Sequence, residues 1–308
     1  MLIRPGKRIY HIPDWGIEVV QPRGGVAAIT YLYAGTGNNG QIYRTLNGLD
    51  WEMVEDTPGT RIWSLAVFDG YLYAGTGDNG QIYRTLNGLD WEMVEDTPET
   101  YILSLAVFDG YLYAGTYPNG QIYRTLNGLD WEMVEDTPET YILSLAVFDG
   151  YLYAGTGENG RIYRTLNGLD WEMVEDTPET HIFSLAVFDG YLYAGTGENG
   201  RIYRTLNGLD WEMVEDTPET WIRSLAVFDG YLYAGTYPNG RIYRTLNGLD
   251  WEMVEDTPET YIRSLAVFDG YLYAGTGENG RIYRTLNGLD WEMVEDTPET
   301  HIYSLAVF

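Results

Sequence analysis

A block of forty residues recurs through this chain almost unchanged. The hexapeptide YLYAGT begins at Tyr31, Tyr71, Tyr111, Tyr151, Tyr191, Tyr231 and Tyr271. A fixed period of roughly 20–50 residues restricts a chain to solenoids, propellers and related arrays, in which each unit buries its apolar surface against its neighbours. The contents of the unit choose among these. SLAVF (64–68) ends at Asp69-Gly70, YLYAGT (71–76) at Gly77-Asp78-Asn79-Gly80, QIYRTL (81–86) at Asn87-Gly88-Leu89-Asp90, and WEMVED (91–96) at Thr97-Pro98. Short runs rich in β-branched and aromatic residues, separated by Gly, Asn, Asp and Pro, read as an antiparallel meander. No window carries the 3.6-residue apolar period of a helix. Four strands per unit and seven units predict an all-β fold: a seven-bladed β-propeller of four-stranded antiparallel blades.

The ends of the chain predict how the ring closes. The first unit opens at Tyr31 on its second strand, and the chain finishes at Phe308 on a seventh SLAVF run. The strand at 304–308 is therefore expected to complete the blade begun by 31–36, 41–46 and 51–56, which removes both exposed sheet edges. The propeller domain is read as 31–308. Residues 1–30 form a non-canonical N-terminal segment in which RIYHIPDW (8–15) and VAAIT (26–30) look like worn repeat fragments. They are expected to form a strap or an extra strand. An incomplete eighth blade is the alternative.

Composition narrows the function. The chain has 46 acidic and 18 basic residues and a net charge of −28. Binding to nucleic acid and to anionic membranes rests on clustered Lys and Arg, so neither partner is expected. The charge reads as a solubility device for an aromatic-rich surface. There is no cysteine, which excludes disulfides and thiolate metal sites. The opening stretch has no apolar run resembling a secretion signal, and no run is long enough to cross a membrane as a helix. A soluble cytoplasmic monomer is the expectation.

The hairpin between the third and fourth strands reads Thr45-Leu46-Asn47-Gly48-Leu49-Asp50-Trp51, with a copy in each unit. It resembles the Asp-box (BNR-like) repeat of sialidase-type propellers, with Asn47 in place of Asp and one residue fewer. The resemblance covers about 278 residues and implies fold more than activity. Asn-Gly favours a tight hairpin because both positions tolerate positive φ. Trp51 and its copies are expected to pack between strands as core anchors. At ~150–250 Å² buried, each would contribute about 4–6 kcal/mol at most.

Catalysis is not expected. The resemblance implies that sialidase-like enzymes draw an arginine cluster, a nucleophilic Tyr with a Glu, and an acid Asp from different blades. Here Tyr43, Arg44, Glu52, Glu55 and Asp56 recur identically, so no blade carries a distinct catalytic set. Arg44 reads as a cross-strand partner of the acidic fourth strand. The three histidines, His11, His181 and His301, have no metal-ligand spacing, and the carboxylates follow no calcium-loop pattern. No phosphate loop or nucleophile elbow occurs. No metal or other cofactor is expected.

What remains is where the copies differ. One position holds Arg61, Tyr101, Tyr141, His181, Trp221, Tyr261 and His301. Two residues on come Trp63, Leu103, Leu143, Phe183, Arg223, Arg263 and Tyr303. The turn between second and third strands is Gly-Asn, Gly-Asp or Gly-Glu except at Tyr117-Pro118 and Tyr237-Pro238. The third strand starts with Gln41, Gln81 or Gln121 and later with Arg161, Arg201, Arg241 or Arg281, and Gly59 replaces a Glu found in the other units.

Because successive strands reverse, all of these differences fall on one face of the disc. The face with Asp69-Gly70 and the Asn-Gly hairpins does not vary. Ile62 is constant, so alternation along an extended link is expected to bury it and to point Arg61 and Trp63 outward. The residue types are those of binding hot spots. Neutral drift on a permissive loop should also admit Ser, Ala, Lys, Thr and Asp, and should touch both faces. The expected function is a non-catalytic recognition scaffold that binds a protein or peptide through this variable face. Two alternatives are a multivalent lectin using the invariant residues, and an engineered or recently amplified propeller with no evolved ligand. The ring of Ser64 copies is expected to line the channel mouth.

Overall fold

Each forty-residue unit folds as four antiparallel strands whose boundaries follow the turn residues closely. The computed structural model describes residues 29–308 except Thr60. The expectations for residues 1–28 lie outside the described residues. We number blades by their innermost strand. Blade 2 comprises Arg61–Phe68, Tyr71–Gly77, Gln81–Thr85 and Trp91–Asp96. Blades 3 to 7 repeat this from Tyr101, Tyr141, Ile182, Trp221 and Tyr261. Blade 1 is built from both ends of the chain. His301–Val307 pairs antiparallel with Leu32–Gly37, which is followed by Gln41–Thr45 and Trp51–Asp56. Backbone bonds in both directions between Tyr31 and Phe308, at 2.8 and 3.0 Å, seal the closure. The described residues form seven blades. Blades 3 to 7 are separate four-stranded sheets, and a single bridge, Gly37 to Arg61, joins blades 1 and 2.

The innermost strand is longer than the sequence suggests. It starts three residues before SLAVF, so the supposed link at 61–63 is part of the sheet. Ile62 pairs with Thr76 and Ser64 with Gly75, leaving residue 63 as an unpaired bulge residue. The same register shift recurs in all seven blades.

The core lies between blades. A representative cluster joins Phe68, Tyr73 and Ile82 of blade 2 to Ile102, Leu112, Ala114 and Tyr123 of blade 3. The equivalent cluster between blades 7 and 1 has the same composition. A strand packed on both faces has no exposed side, which is why YLYAGT shows no alternation of apolar and polar residues. The largest fully buried side chains are Tyr33, Tyr73 and their copies. Trp51 and its copies are only partly buried and pack at the edges of these clusters. The expected core anchor is thus a tyrosine rather than the tryptophan, because the tryptophan sits on the outermost strand. Close approach near the axis requires Gly75, where a Cβ would meet the Ile102 side chain of the next blade at 2.6 Å.

The two constant turns differ in kind. Asp69 and Gly70 have φ of 46° and 77° between the paired residues Phe68 and Tyr71, a two-residue hairpin with both centres left-handed. The Asn47-Gly48 hairpin does not follow that pattern, since only Gly48 has positive φ. Its loop runs from Leu46 to Asp50. Asn47 Oδ1 accepts from the amides of Leu49 and Asp50, each at 2.9 Å, and Thr45 Oγ1 accepts from Gly48 N at 2.9 Å. The Asn side chain, not its backbone freedom, shapes the turn. Gly48 is required twice over, by its φ and because a Cβ would collide with the Tyr273 hydroxyl of the preceding blade.

Candidate functional site at the variable face

Two constant devices hold the face in place. Ser64 Oγ donates to the Ile102 carbonyl of the next blade at 3.2 Å, and the pattern continues around the ring to Ser304, which donates to Ile62 O at 3.4 Å. The serines line the channel as expected, and each one also links adjacent blades. Beneath the variable turns, the Glu99 series is buried and reaches into the following blade. Glu139 Oε1 accepts from Arg161 Nη1 at 2.8 Å and from the Tyr163 hydroxyl at 3.0 Å, and its other oxygen accepts from Asn159 at 2.8 Å. Where the third strand starts with Gln, as at Gln121, Glu99 is held by the amide and side chain of Asn119 alone. The Gln-to-Arg difference therefore belongs to the joint between blades. Gly59 leaves the joint between blades 1 and 2 without its carboxylate.

The bulge decides where the variable side chains go. Ile62 is fully buried, as expected. Residue 63 does not point outward. A bulge residue escapes the strict in-out alternation of the strand, and its side chain is re-aimed. Trp63, Leu103, Leu143, Phe183, Arg223, Arg263 and Tyr303 converge on the axis and line a cavity of about 170 Å³ at the mouth of the channel. The other variable position, Arg61 with Tyr101, Tyr141, His181, Trp221, Tyr261 and His301, surrounds them and is half-buried.

Tyr117 and Tyr237 complete the arrangement. Tyr117 stacks between Tyr101 and Tyr141, with centroids at 5.2 and 4.4 Å. Tyr237 stacks between Trp221 and Tyr261 at 4.3 and 4.2 Å. The contacts continue from Tyr141 to His181, Phe183 and Trp221, and from Tyr261 to His301, Tyr303, Trp63 and back to Tyr101. The aromatic rings form a closed circuit with no centroid gap above 6.2 Å. Fifteen of the sixteen variable residues singled out from the sequence are therefore in this circuit or on the cavity wall inside it, and the sixteenth, Arg61, lies against the circuit at 5.9 Å from the Trp63 and Tyr101 rings.

The cations are set against this circuit. Arg223 lies over Phe183 at 4.2 Å and Arg263 over Tyr261 and Tyr303 at 4.2 and 4.6 Å. Burial, and then the charge of Arg263, push the Arg223 guanidinium down to about 9. Burial lowers Arg263 as well. His301 Nδ1 accepts from the Glu278 amide at 3.0 Å and from Arg263 Nε at 3.3 Å, so its proton sits on Nε2. Burial and then Arg263, Arg61 and Arg223 push it down to about 4. His181 is lowered by burial and by Arg223. Asp78, a variable turn residue left out of the sequence-based site, pairs with Arg61 at 3.6 Å. Its signal was present in the same variable turn but no contact could be assigned without the fold.

The opposite face repeats. Arg44 Nε donates to Glu52 Oε1 at 2.7 Å, as the sequence implied, and its guanidinium covers Tyr31 at 4.3 Å. Clefts of about 270 Å³ and 260 Å³, lined by Tyr71, Arg84, Asn87, Asp90, Trp91 and Glu92 and by their copies in blade 3, lie along this side. Among the described residues, no group of three or more His, Cys, Asp or Glu is placed to hold a metal ion.

No family model matches the chain, and no curated protein does. Solved structures do. A chain in the crystal structure of a nidogen/laminin complex matches with a TM-score of 0.59 at 14% identity, covering 90% of this chain and 98% of that one. Virginiamycin B lyase from Staphylococcus aureus matches at 0.67 and 16%, covering 77% and 84%. The computationally designed Ika8 protein matches at 0.55 and 15%, covering 85% and 82%. At such identities the likeness shows the propeller fold alone, and these neighbours include an enzyme and a designed protein.

Proposed function

We propose that this highly repeated propeller is a non-catalytic recognition scaffold, binding a protein or peptide through its variable face. One observation carries the reading. In a chain whose blades are otherwise near-identical, the differences gather on one face, and there they form a closed aromatic circuit around a cavity with cations on its wall. Large rigid rings with polar tips give contact area at low entropic cost, which is the chemistry of binding hot spots. The constant hairpins are held as structural turns by their own side chains, and Glu52 and its copies are engaged in repeated ion pairs with the Arg44 series.

The test compares two baits. One is the native chain. In the other, all fourteen positions of the 61 and 63 series are reset to the Tyr101 and Leu103 pair. A partner retained only by the native bait, and binding the purified chain with one copy per propeller, is the expected result. Equal retention by both baits would overturn it. The repeated clefts at Tyr71, Trp91 and Glu92 favour a second reading, a multivalent lectin. That reading requires several equivalent sugars per chain and indifference to the reset. An engineered or recently amplified scaffold without a ligand would give no partner for either bait.

A further inference from the structure

The seven residues on the cavity wall are not distributed at random around the axis. Leu103 and Leu143 are neighbours on blades 3 and 4, flanked by Trp63 and Phe183. Arg223 and Arg263 are neighbours on blades 6 and 7, across the ring from the leucines. The cavity therefore has an apolar wall and a cationic wall.

The cationic wall is unbalanced. Every other arginine among the described residues is ion-paired. Arg223 and Arg263 have no carboxylate partner among those residues, although the chain carries a net charge of −28. Their faces are covered by aromatic rings and Arg263 Nε donates to His301, while the remaining guanidinium N–H groups of these two cavity-lining arginines have no partner among the described residues. Two partly buried like charges side by side repel and are poorly solvated, a cost that an incoming anion relieves.

We propose that the axial cavity binds a carboxylate carried on an apolar group, the carboxylate between Arg223 and Arg263 and the apolar part against Leu103 and Leu143. A guanidinium matches a planar carboxylate through paired N–H donors. A single negative charge fits better than a phosphate dianion, because Leu103 and Leu143 opposite the arginines offer no donor and the whole protein is strongly negative. The proposal deepens the recognition reading and rests on the variable face being the binding surface. Two sources share the chemistry: the C-terminus of a peptide ending in an apolar residue, and a free aryl or alkyl carboxylate.

Isothermal titration of the full chain tests this with 3-phenylpropanoate, its amide, inorganic phosphate, and a peptide ending in Phe with free or amidated C-terminus. The expected result is one carboxylate per chain, with the uncharged amides weaker by about ten-fold or more. Arg223→Leu with Arg263→Leu should remove that preference, and the fold tolerates Leu at this position because blades 3 and 4 carry it. A free-ended peptide about ten-fold tighter than 3-phenylpropanoate assigns the source to a peptide C-terminus, and the reverse order assigns it to a small carboxylate. No heat with either carboxylate, amides that bind as well, or phosphate binding as tightly would overturn the proposal. If carboxylates fail while only the native bait retains its partner, the recognition reading stands without this site. If the reset bait retains the partner equally, that reading itself falls.

Discussion

The two faces of this disc are made from the same seven blades and obey different rules. On the hairpin face every copy repeats Thr45, Asn47, Gly48 and Asp50, and each residue has a job in the turn. On the other face the same blades carry Trp, Leu, Phe, Arg or Tyr at one position, and no internal hydrogen-bond pattern dictates which. The framework supplies the bulge that turns that position to the axis, and the side chain placed there is free to differ. Under the proposed function, constant positions set stability, and variable positions set what the cavity and its rim bind.

That division can be broken by mutation, beginning with the largest expected effect. Tyr153→Ala empties a fully buried site between blades and should cost about 4 kcal/mol by urea unfolding. Tyr141→Ala in the aromatic circuit removes half-buried stacking and should cost only about 1 kcal/mol. Comparable losses would erase the distinction. Glu139→Ala strips a buried carboxylate from Arg161, Asn159 and Tyr163 and should cost about 3 kcal/mol. Glu99→Ala, which leaves no bare cation behind, should cost about 2 kcal/mol.

Arg223→Leu should do the opposite of a core mutation. It removes a guanidinium with no carboxylate partner among the described residues and should raise stability by about 1 kcal/mol while weakening carboxylate binding. A loss of stability would mean that the cation–π contacts outweigh the buried charge.

The last contrast is a pH dependence at the rim. His301 sits near 4 in the folded chain against an ordinary value of about 6.5. Between those values the unfolded chain binds more protons, so this residue's contribution to stability falls as pH drops from about 6.5 to 4. His301→Tyr, which places there the residue of blades 3, 4 and 7, should flatten that part of the melting-temperature profile. Parallel profiles for the two proteins would refute the assignment.

Local signals made most of the fold readable from the sequence. Turn residues at fixed offsets located the strands, and the offset between Tyr31 and Phe308 exposed the closing blade. Pairing of Arg44 with the acidic fourth strand followed from the meander, and the register makes Glu52 the partner. The bulge at residue 63 was not readable, because a two-for-one pairing with Thr76 and Gly75 leaves no mark in SLAVF or YLYAGT. Nor was the buried tyrosine core, since Tyr31 and Tyr33 look alike until neighbouring blades cover one and leave the other beside Arg44. The variable residues were found by comparing copies, but their split into an axial wall and an outer circuit depends on that bulge. The invariant Glu99 series gave no signal in six identical copies; only its absence at Gly59 marked the position.

The most direct test of the central claim uses the sevenfold framework itself. The variable residues of every blade are moved together, one blade around the ring, to give a rotated chain with the same cyclic order. In a second chain the sets of blades 4 and 7 are exchanged, which keeps composition and breaks the order. Affinity for the captured partner is then measured for all three chains. Recognition through the variable face predicts that the rotated chain binds like the native one and that the exchanged chain is weaker by about ten-fold or more. Equal binding by the exchanged chain, or loss of binding by the rotated one, would contradict it.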